Sequence, residues 1–179
     1  MYQVGERLVY GLHGVCRVVR EEQRRVDGRT LSYLTLEPVG QRGACFLVPT
    51  QNAAVMARLR PLPNRDDMER LLYAGPELPD AWIPEESTRK QRYREYIASA
   101  DVESLVRMIC SLYRHREQQR ASGKKCHVSD ENFLRDAEKL LSGEVAAVME
   151  LEEDQAKSMI RNRLRPPVRT TEYNAENAP

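Results

Sequence analysis

The stretch GVCRVVREEQRRVDGRTLSYLTLEPV, residues 14–39, decides the fold of the first part of this chain. Two runs rich in β-branched and aromatic residues flank an Asp-Gly pair, and glycine accepts the positive φ that a tight hairpin turn requires. In the first run one strand face is predicted to carry Val15, Arg17 and Val19, and the other Cys16, Val18 and Arg20. The sequence therefore predicts an antiparallel hairpin with alternating faces.

Further strand signals lie on both sides of this hairpin. RLVYG at residues 7–11 precedes it and CFLVP at residues 45–49 follows it, with glycine-containing turns between the runs. Several short, curved strands within so few residues are typical of a small antiparallel barrel. We therefore predict a β barrel over residues 1–60.

After Pro49 the apolar period changes from that of a strand to that of a helix. The predicted helical segments are 65–75, 87–98, from Asp101 to before Ser122, from Ser129 with a break at Gly143, and 152–164, with Asn64, Asp101 and Ser129 as N-caps. A run of strands followed by a run of helices predicts an α+β chain with two domains. The second domain, all-α, would span residues 85–164, after a helix and proline-rich connector at 61–84 and before a disordered tail at 165–179.

Charge is unevenly distributed along the chain, although the net charge is only +1. The balance of basic over acidic residues is nine to five in 1–60, two to seven in 61–88, ten to four in 89–125 and seven to eleven in 126–179. The basic block at 89–125 indicates either a solvated helix face or an electrostatic footprint for phosphate groups. The sequence alone leaves both interpretations open.

Several classes of function have no support in the sequence. The four cysteines are scattered, without the spacing of a zinc site, and no nucleotide-binding, hydrolase or metalloprotease motif is present. His13 lies in a glycine-bounded turn and is interpreted as a turn residue. No signal peptide or membrane-spanning run is recognisable. We predict a cytoplasmic protein that is not an enzyme and that uses no metal or cofactor.

Three segments carry a resemblance to a known family: VGERLVYGLHGVCRVV at 4–19, FLVPTQN at 46–52 and SDENFLRDAEKLLSGEVA at 129–146. Together they resemble the CarD/CdnL family of bacterial transcription regulators, over roughly residues 1–150 of this sequence. A related barrel module also occurs in the transcription-repair coupling factor. The resemblance implies a Tudor-like barrel that binds the β subunit of RNA polymerase, followed by a helical domain that lies on promoter DNA.

The resemblance also implies a role for the only tryptophan, Trp82, which matches the family tryptophan by order and context. In the family this side chain inserts into the minor groove near the upstream edge of the transcription bubble and stabilises the open complex without base-specific readout. The segment IPEEST, residues 83–88, lengthens the spacing from Trp82 to Asp101, and Leu47 stands where some members carry an arginine. Packing in a core is the alternative interpretation of the indole.

Two sets of site residues follow. The predicted DNA-binding residues are Trp82, Arg89, Lys90, Arg92, Lys124 and Lys125. The predicted polymerase-binding residues are Arg17, Arg24, Arg25, Arg29, Phe46 and Pro49. The hairpin arginines could alternatively protect a strand edge from unwanted pairing. We expect a monomeric, nucleoid-associated transcription regulator; the alternative is an adaptor that binds proteins through both domains and makes no DNA contact.

Overall fold

The structure is a computed structural model, and it describes residues 2–40 and 43–165 of the chain. Except for its first residue, the tail predicted to be disordered lies outside these residues.

The first part of the chain forms a five-stranded antiparallel sheet in the order β4-β3-β2-β1-β5. Its strands are β1 (Arg7–Tyr10), β2 (Val15–Val26), β3 (Arg29–Pro38), β4 (Phe46–Pro49) and β5 (Leu59–Pro61). The predicted hairpin is confirmed, with Asp27 at φ 48° and Gly28 at φ 76° in its turn. Within the described residues the outer strands β4 and β5 do not pair with each other, so the sheet is barrel-like but not closed.

A β-bulge changes the predicted alternation in β2. The register shifts between Val18 and Arg20, so that Arg20 lies opposite Thr35 while Arg17 lies opposite Glu37. Opposed residues in an antiparallel ladder share a face, and a bulge inserts one residue that moves the following side chains to the other face. Arg20 therefore lies on the Arg17 face, and its predicted placement with Val18 is wrong.

The two sheet faces have different surroundings. The inner face forms a core of Leu8, Cys16, Val18, Leu34, Leu36, Val48 and Leu59. The outer face is covered at its β1–β5 end, where Val9 and Val15 pack against Ala100 and Ala147 of the helical part. The β2–β4 end of the outer face stays open and carries the arginines of the hairpin.

The helices are α1 (Ala53–Met56), α2 (Arg65–Ala74), α3 (Glu86–Ser99), α4 (Val102–Ala121), α5 (Val128–Met149) and α6 (Glu153–Leu164), with 3-10 turns at Gly11–His13 and Gly75–Glu77. The side chains of Asn64 and Asp101 cap α2 and α4 as predicted. Met68 and Leu72 of α2 are buried in the same core as α4, α5 and α6, so the predicted connector packs as part of the helical body.

Two sequence-based predictions about helix α5 are wrong. His127 occupies its cap position and Ser129 lies inside its first turn, because the carbonyl of His127 already accepts from the backbone of Asp130. The helix also continues through Gly143 without a break. Leu141 and Val145 on either side are fully buried, and this burial outweighs the roughly 1 kcal/mol that a helical glycine costs.

One buried ion pair joins the sheet to the helical body. Arg60 of β5 donates to Glu144 of α5 at 2.6 Å, and its Nε donates to the carbonyl of Ala100 at 3.0 Å. The side chain of Glu144 is 1% exposed and that of Arg60 is 25% exposed. The outer face of the sheet is therefore fixed to the helices by a charged contact as well as by small apolar side chains.

Candidate functional site

The indole of Trp82 lies at the surface of the helical body, in the loop between the turn Gly75–Glu77 and α3. It is partly buried against the helical core. The imidazole of His115, from α4, stacks on it with a centroid separation of 3.4 Å and an interplanar angle of 16°. The guanidinium carbon of Arg89, from α3, lies 4.1 Å from the ring centroid. Two helices thus fix the plane of the indole.

Arg89 has a different environment from the one predicted for a DNA contact. Only 2% of the residue is exposed, and it forms a two-pronged ion pair with Asp130, with both N–O distances at 3.1 Å. Its Nη1 also donates to the carbonyls of Ile83 and Pro84, at 2.7 and 3.2 Å. Because its donors are engaged inside the protein, Arg89 is not available to a phosphate, and its inclusion in the DNA-binding set is corrected.

A second arginine holds the start of the same loop. Arg114 donates to the carbonyl of Pro76 at 3.1 Å and to that of Leu78 at 3.3 Å, and it lies 3.7 Å from Asp80. Asp80 in turn accepts from the backbone N–H of Trp82 at 3.2 Å. The Trp82 loop is therefore bound on both sides of the indole by arginine side chains from the helices.

The added segment IPEEST forms the end of the loop and the beginning of α3. Glu85 is the N-cap, and its carboxylate accepts from the backbone N–H groups of Ser87 and Thr88 at 2.9 and 2.6 Å. Hydrogen bonds from the side chain and backbone of Thr88, and then from Ser87, lower the pKa of Glu85 to about 2. This carboxylate therefore neutralises the positive end of the helix, as expected for a capping acid.

The remaining predicted cations differ in their partners. Lys90 is partly buried and pairs with Glu86, whereas Arg92 is exposed and pairs with Glu95 at 3.1 Å. On an α-helix these two cations lie about 100° and about 60° to either side of the inward-facing Arg89. Lys124 and Lys125 are exposed, and neither makes an ion pair among residues 2–40 and 43–165.

The charge of His127, which follows the loop that carries Lys124 and Lys125, acts on groups around the indole. Burial lowers the pKa of His115, the charge of Asp130 opposes this shift, and the charges of Arg89 and His127 reinforce it. Lys90 lowers the pKa of Glu86 most strongly, and His127 contributes to the same shift. His127 follows the loop that carries Lys124 and Lys125, so the charge at the end of this loop acts both on His115, which stacks on the indole, and on Glu86 at the start of α3.

The open end of the sheet face brings together most of the predicted polymerase-binding residues. The strand register places Arg17, Arg24, Arg29 and Pro49 on the outer face, and adds Arg20, which was missing from the predicted set because of the bulge. Arg25 and Phe46 are directed to the opposite face. Phe46 packs there against the inner core and lies 4.2 Å from the ring of His13. These two residues therefore do not share a surface with the other members.

The arginines of this face pair with neighbouring glutamates. Arg17 lies 3.3 Å from Glu37, and both Arg20 and Arg24 pair with Glu22. Leu47, at 42% exposure, stands opposite Thr35 on the same face and adds an exposed apolar side chain to it. We define the arginine face as Arg17, Arg20, Arg24, Arg29, Leu47 and Pro49.

Neither a metal site nor a membrane span is found in the described part of the chain. No three His, Cys, Asp or Glu side chains come together in a group that could hold a metal ion in residues 2–40 and 43–165. No helix in those ranges combines the length and apolar character needed to cross a bilayer.

Comparison with known families gives two matches. Residues 2–61 match the family model described as CarD-like/TRCF RID domain, which covers the whole five-stranded sheet. Residues 79–161 match the model described as CarD, C-terminal domain, which includes the Trp82 loop and the helices that hold it. The two matches occur in this order and leave only α2 and its flanking residues between them.

Proposed function

The chain belongs to the CarD family of transcription-related proteins that interact with RNA polymerase, and on that premise we propose that it stabilises the open promoter complex. In this proposal the arginine face binds the β subunit of the polymerase. The helical body meanwhile holds the indole of Trp82 against promoter double-stranded DNA near the upstream edge of the bubble. No catalytic step is involved, and no base is read.

The composition of the arginine face supports a protein partner with acidic groups. Arginine forms planar, two-pronged contacts with carboxylates, and Leu47 supplies an apolar side chain that is 42% exposed. The pair of Arg17 with Glu37 is exposed, and in the pair of Arg24 with Glu22 the arginine is exposed and the glutamate half-buried. Exposed ion pairs contribute only about 0–1 kcal/mol, so they can be exchanged for contacts with a partner at little cost.

The surroundings of Trp82 support a DNA contact that is insensitive to sequence. An apolar side chain that enters a distorted base step offsets part of the unstacking free energy, and nearby cations bind phosphate without reading bases. Lys124 and Lys125 are exposed cations just before His127, the residue at the cap position of α5. They are the strongest candidates for phosphate contacts now that Arg89 is assigned to the interior.

The junction between sheet and helices supports the coupling of the two contacts. Arg60 and Glu144, together with the packing of Val9 and Val15 on Ala147, fix the sheet to the helical body. A protein anchored to polymerase through the arginine face would then present Trp82 at a set distance from the anchor. This arrangement raises the overall affinity for the polymerase–promoter complex, because the second contact becomes intramolecular once the first has formed.

The observation that carries the proposal is the location of the only indole, partly exposed on a braced surface loop rather than within the core. The test is Trp82→Ala, with the half-life of open complexes as the readout. We expect a shorter half-life with unchanged polymerase affinity, since an alanine cannot fill the distorted step. Tyr73→Ala is the matched control, because Tyr73 is a 72% exposed aromatic residue outside the proposed surface. An unchanged half-life, or loss of helical circular dichroism in Trp82→Ala, would contradict the proposal.

A second candidate function is an adaptor that binds proteins through both domains. The pairing of Lys90 with Glu86 and of Arg92 with Glu95 favours it, because these cations are already neutralised. Salt dependence separates the two functions. A contact to several phosphates weakens steeply as salt rises, whereas an adaptor would add no salt-dependent affinity for promoter DNA to that of the polymerase.

A further inference from the structure

We propose that Arg89 is a positioning residue for the indole of Trp82: its guanidinium holds the loop backbone and the indole in one pose before DNA is bound. This inference rests on the proposed function, in which the indole is the group that meets the DNA. It changes the role of Arg89 from a phosphate contact to an internal brace. The geometry around the guanidinium carries the argument.

Almost every hydrogen-bond donor of Arg89 is occupied. A guanidinium has five N–H groups. Nε and one Nη2 proton bind the two oxygens of Asp130, and Nη1 donates to the carbonyls of Ile83 and Pro84. The same planar group lies 4.1 Å from the indole centroid. One side chain thus connects the ring, the two residues that follow it, and helix α5.

Asp130 is well suited to hold this guanidinium. It is 3% exposed and lies in the first turn of α5, where the helix dipole favours a negative charge. A buried ion pair contributes little net stability compared with an apolar pair of the same shape, because both charges must be desolvated. The two-pronged geometry does fix direction, so the pair suits a role in setting the pose of a neighbouring group.

A preset pose has a consequence for binding. A side chain that is ordered only when DNA arrives loses conformational entropy at that step, and the affinity falls by about three- to tenfold for one large side chain. The other contacts that hold the ring and its loop are the stacking of His115, the Asp80 contact to the backbone and the packing of the indole on the helical core. Loosening Arg89 should therefore free the indole without removing any contact to DNA.

The test compares Arg89→Lys with Arg94→Lys, a change at an exposed arginine on the same helix that is outside the predicted DNA-binding set. Lysine keeps the positive charge beside Asp130, but it loses the planar fork and has three donors where arginine has five. Because Trp82 is the only tryptophan, time-resolved fluorescence anisotropy reports its motion directly in the full chain. The second readout is the affinity for a preformed polymerase–promoter complex at several salt concentrations, in wild-type and Trp82→Ala backgrounds.

We expect Arg89→Lys to increase the fast depolarisation of the indole and to weaken binding by about three- to tenfold, with an unchanged salt slope. Arg94→Lys should leave both readouts unchanged. In the Trp82→Ala background Arg89→Lys should have no further effect on binding, because there is no indole left to position. The positioning role is overturned if the effects of Arg89→Lys and Trp82→Ala on binding are additive. It is also overturned if Arg89→Lys leaves the motion of the indole unchanged.

Failure of the proposed function gives a different result. If Trp82→Ala leaves binding unchanged, the DNA contact of the indole is wrong, while the anisotropy measurement still judges whether Arg89 fixes the ring. Should Arg89→Lys not fold, Asp130→Asn loosens the same pair and is measured in the same way. Unfolding of both variants would overturn the proposal in favour of a purely structural role.

Discussion

The contact between Arg60 and Glu144 gives the sharpest quantitative prediction, because its two partners are buried to different degrees. Removing Arg60 with Arg60→Met leaves a carboxylate that is 1% exposed without its counter-charge. Its Oε2 has no hydrogen-bond partner in the described structure even with Arg60 present. Breaking a buried pair in this way costs about 3–5 kcal/mol of unfolding free energy.

Removing Glu144 should lower the free energy of unfolding by less than removing Arg60. In Glu144→Gln, Arg60 keeps its hydrogen bond to Ala100 and remains 25% exposed, so water solvates part of its charge. We expect a loss of about 1.5–3 kcal/mol, the range for one lost hydrogen bond to a charged group. The double variant Arg60→Met/Glu144→Leu buries no charge and should recover most of the stability lost in Arg60→Met.

The pH dependence follows from the pKa of Glu144, which burial raises above its usual value while Arg60 opposes the shift. A raised carboxyl pKa in the folded state means that stability is fully present below the unfolded pKa and is lost as pH rises through the folded value. Arg60→Met removes the opposing effect and raises this pKa further. The loss of unfolding free energy in Arg60→Met should therefore be largest at neutral pH. It should become smaller as the pH falls towards the pKa of an ordinary glutamate.

The assay is urea unfolding at several pH values, followed by far-ultraviolet circular dichroism and by indole fluorescence. If the two probes give coincident transitions, unfolding is two-state and each variant has a single free energy of unfolding. The reasoning would be refuted if Glu144→Gln were as destabilising as Arg60→Met, or if the penalty of Arg60→Met grew on acidification.

Three further predictions concern the two surfaces and the helix that begins after the Trp82 loop. Arg24→Glu should weaken polymerase binding in a pull-down by about tenfold, while Arg25→Glu on the opposite face should have a smaller effect; equal losses would contradict the assignment of faces. Replacing Lys124 and Lys125 by alanine should reduce the salt slope of binding to polymerase–promoter complexes by about one unit each, without changing affinity for free polymerase. Because the pKa of Glu85 is lowered to about 2, folding stability should decline as pH falls from about 4.5 to 2, and urea titrations of Glu85→Gln should lack this part of the decline.

The features of the fold that could be predicted from the sequence depend on local interactions. The Asp27-Gly28 turn and the caps Asn64 and Asp101 are set by neighbouring residues, and the structure has them where they were predicted. Strand β5 was missed because three residues ending in proline have no measurable period. The continuity of α5 through Gly143 was missed because burial on both sides, rather than local propensity, decides it.

The site was less predictable because its contacts join distant parts of the chain. Arg89 belongs to a basic run that resembles a phosphate-binding surface, and no local pattern shows that it meets Asp130, 41 residues away. His115 and Arg114 likewise lie in a basic stretch without a signal that they hold the Trp82 loop. The faces of the hairpin were predicted up to the bulge, whose position requires the pairing register.

Photo-crosslinking from position 82 tests whether this protein holds its indole on promoter DNA while it is anchored to polymerase. A Trp82→p-benzoylphenylalanine variant is irradiated in open complexes, and Tyr73→p-benzoylphenylalanine serves as the control on another exposed surface. We expect crosslinks from position 82 to DNA at the upstream edge of the bubble, and we expect these crosslinks to require polymerase. Crosslinks from position 82 to polymerase alone, with none to DNA, would contradict it.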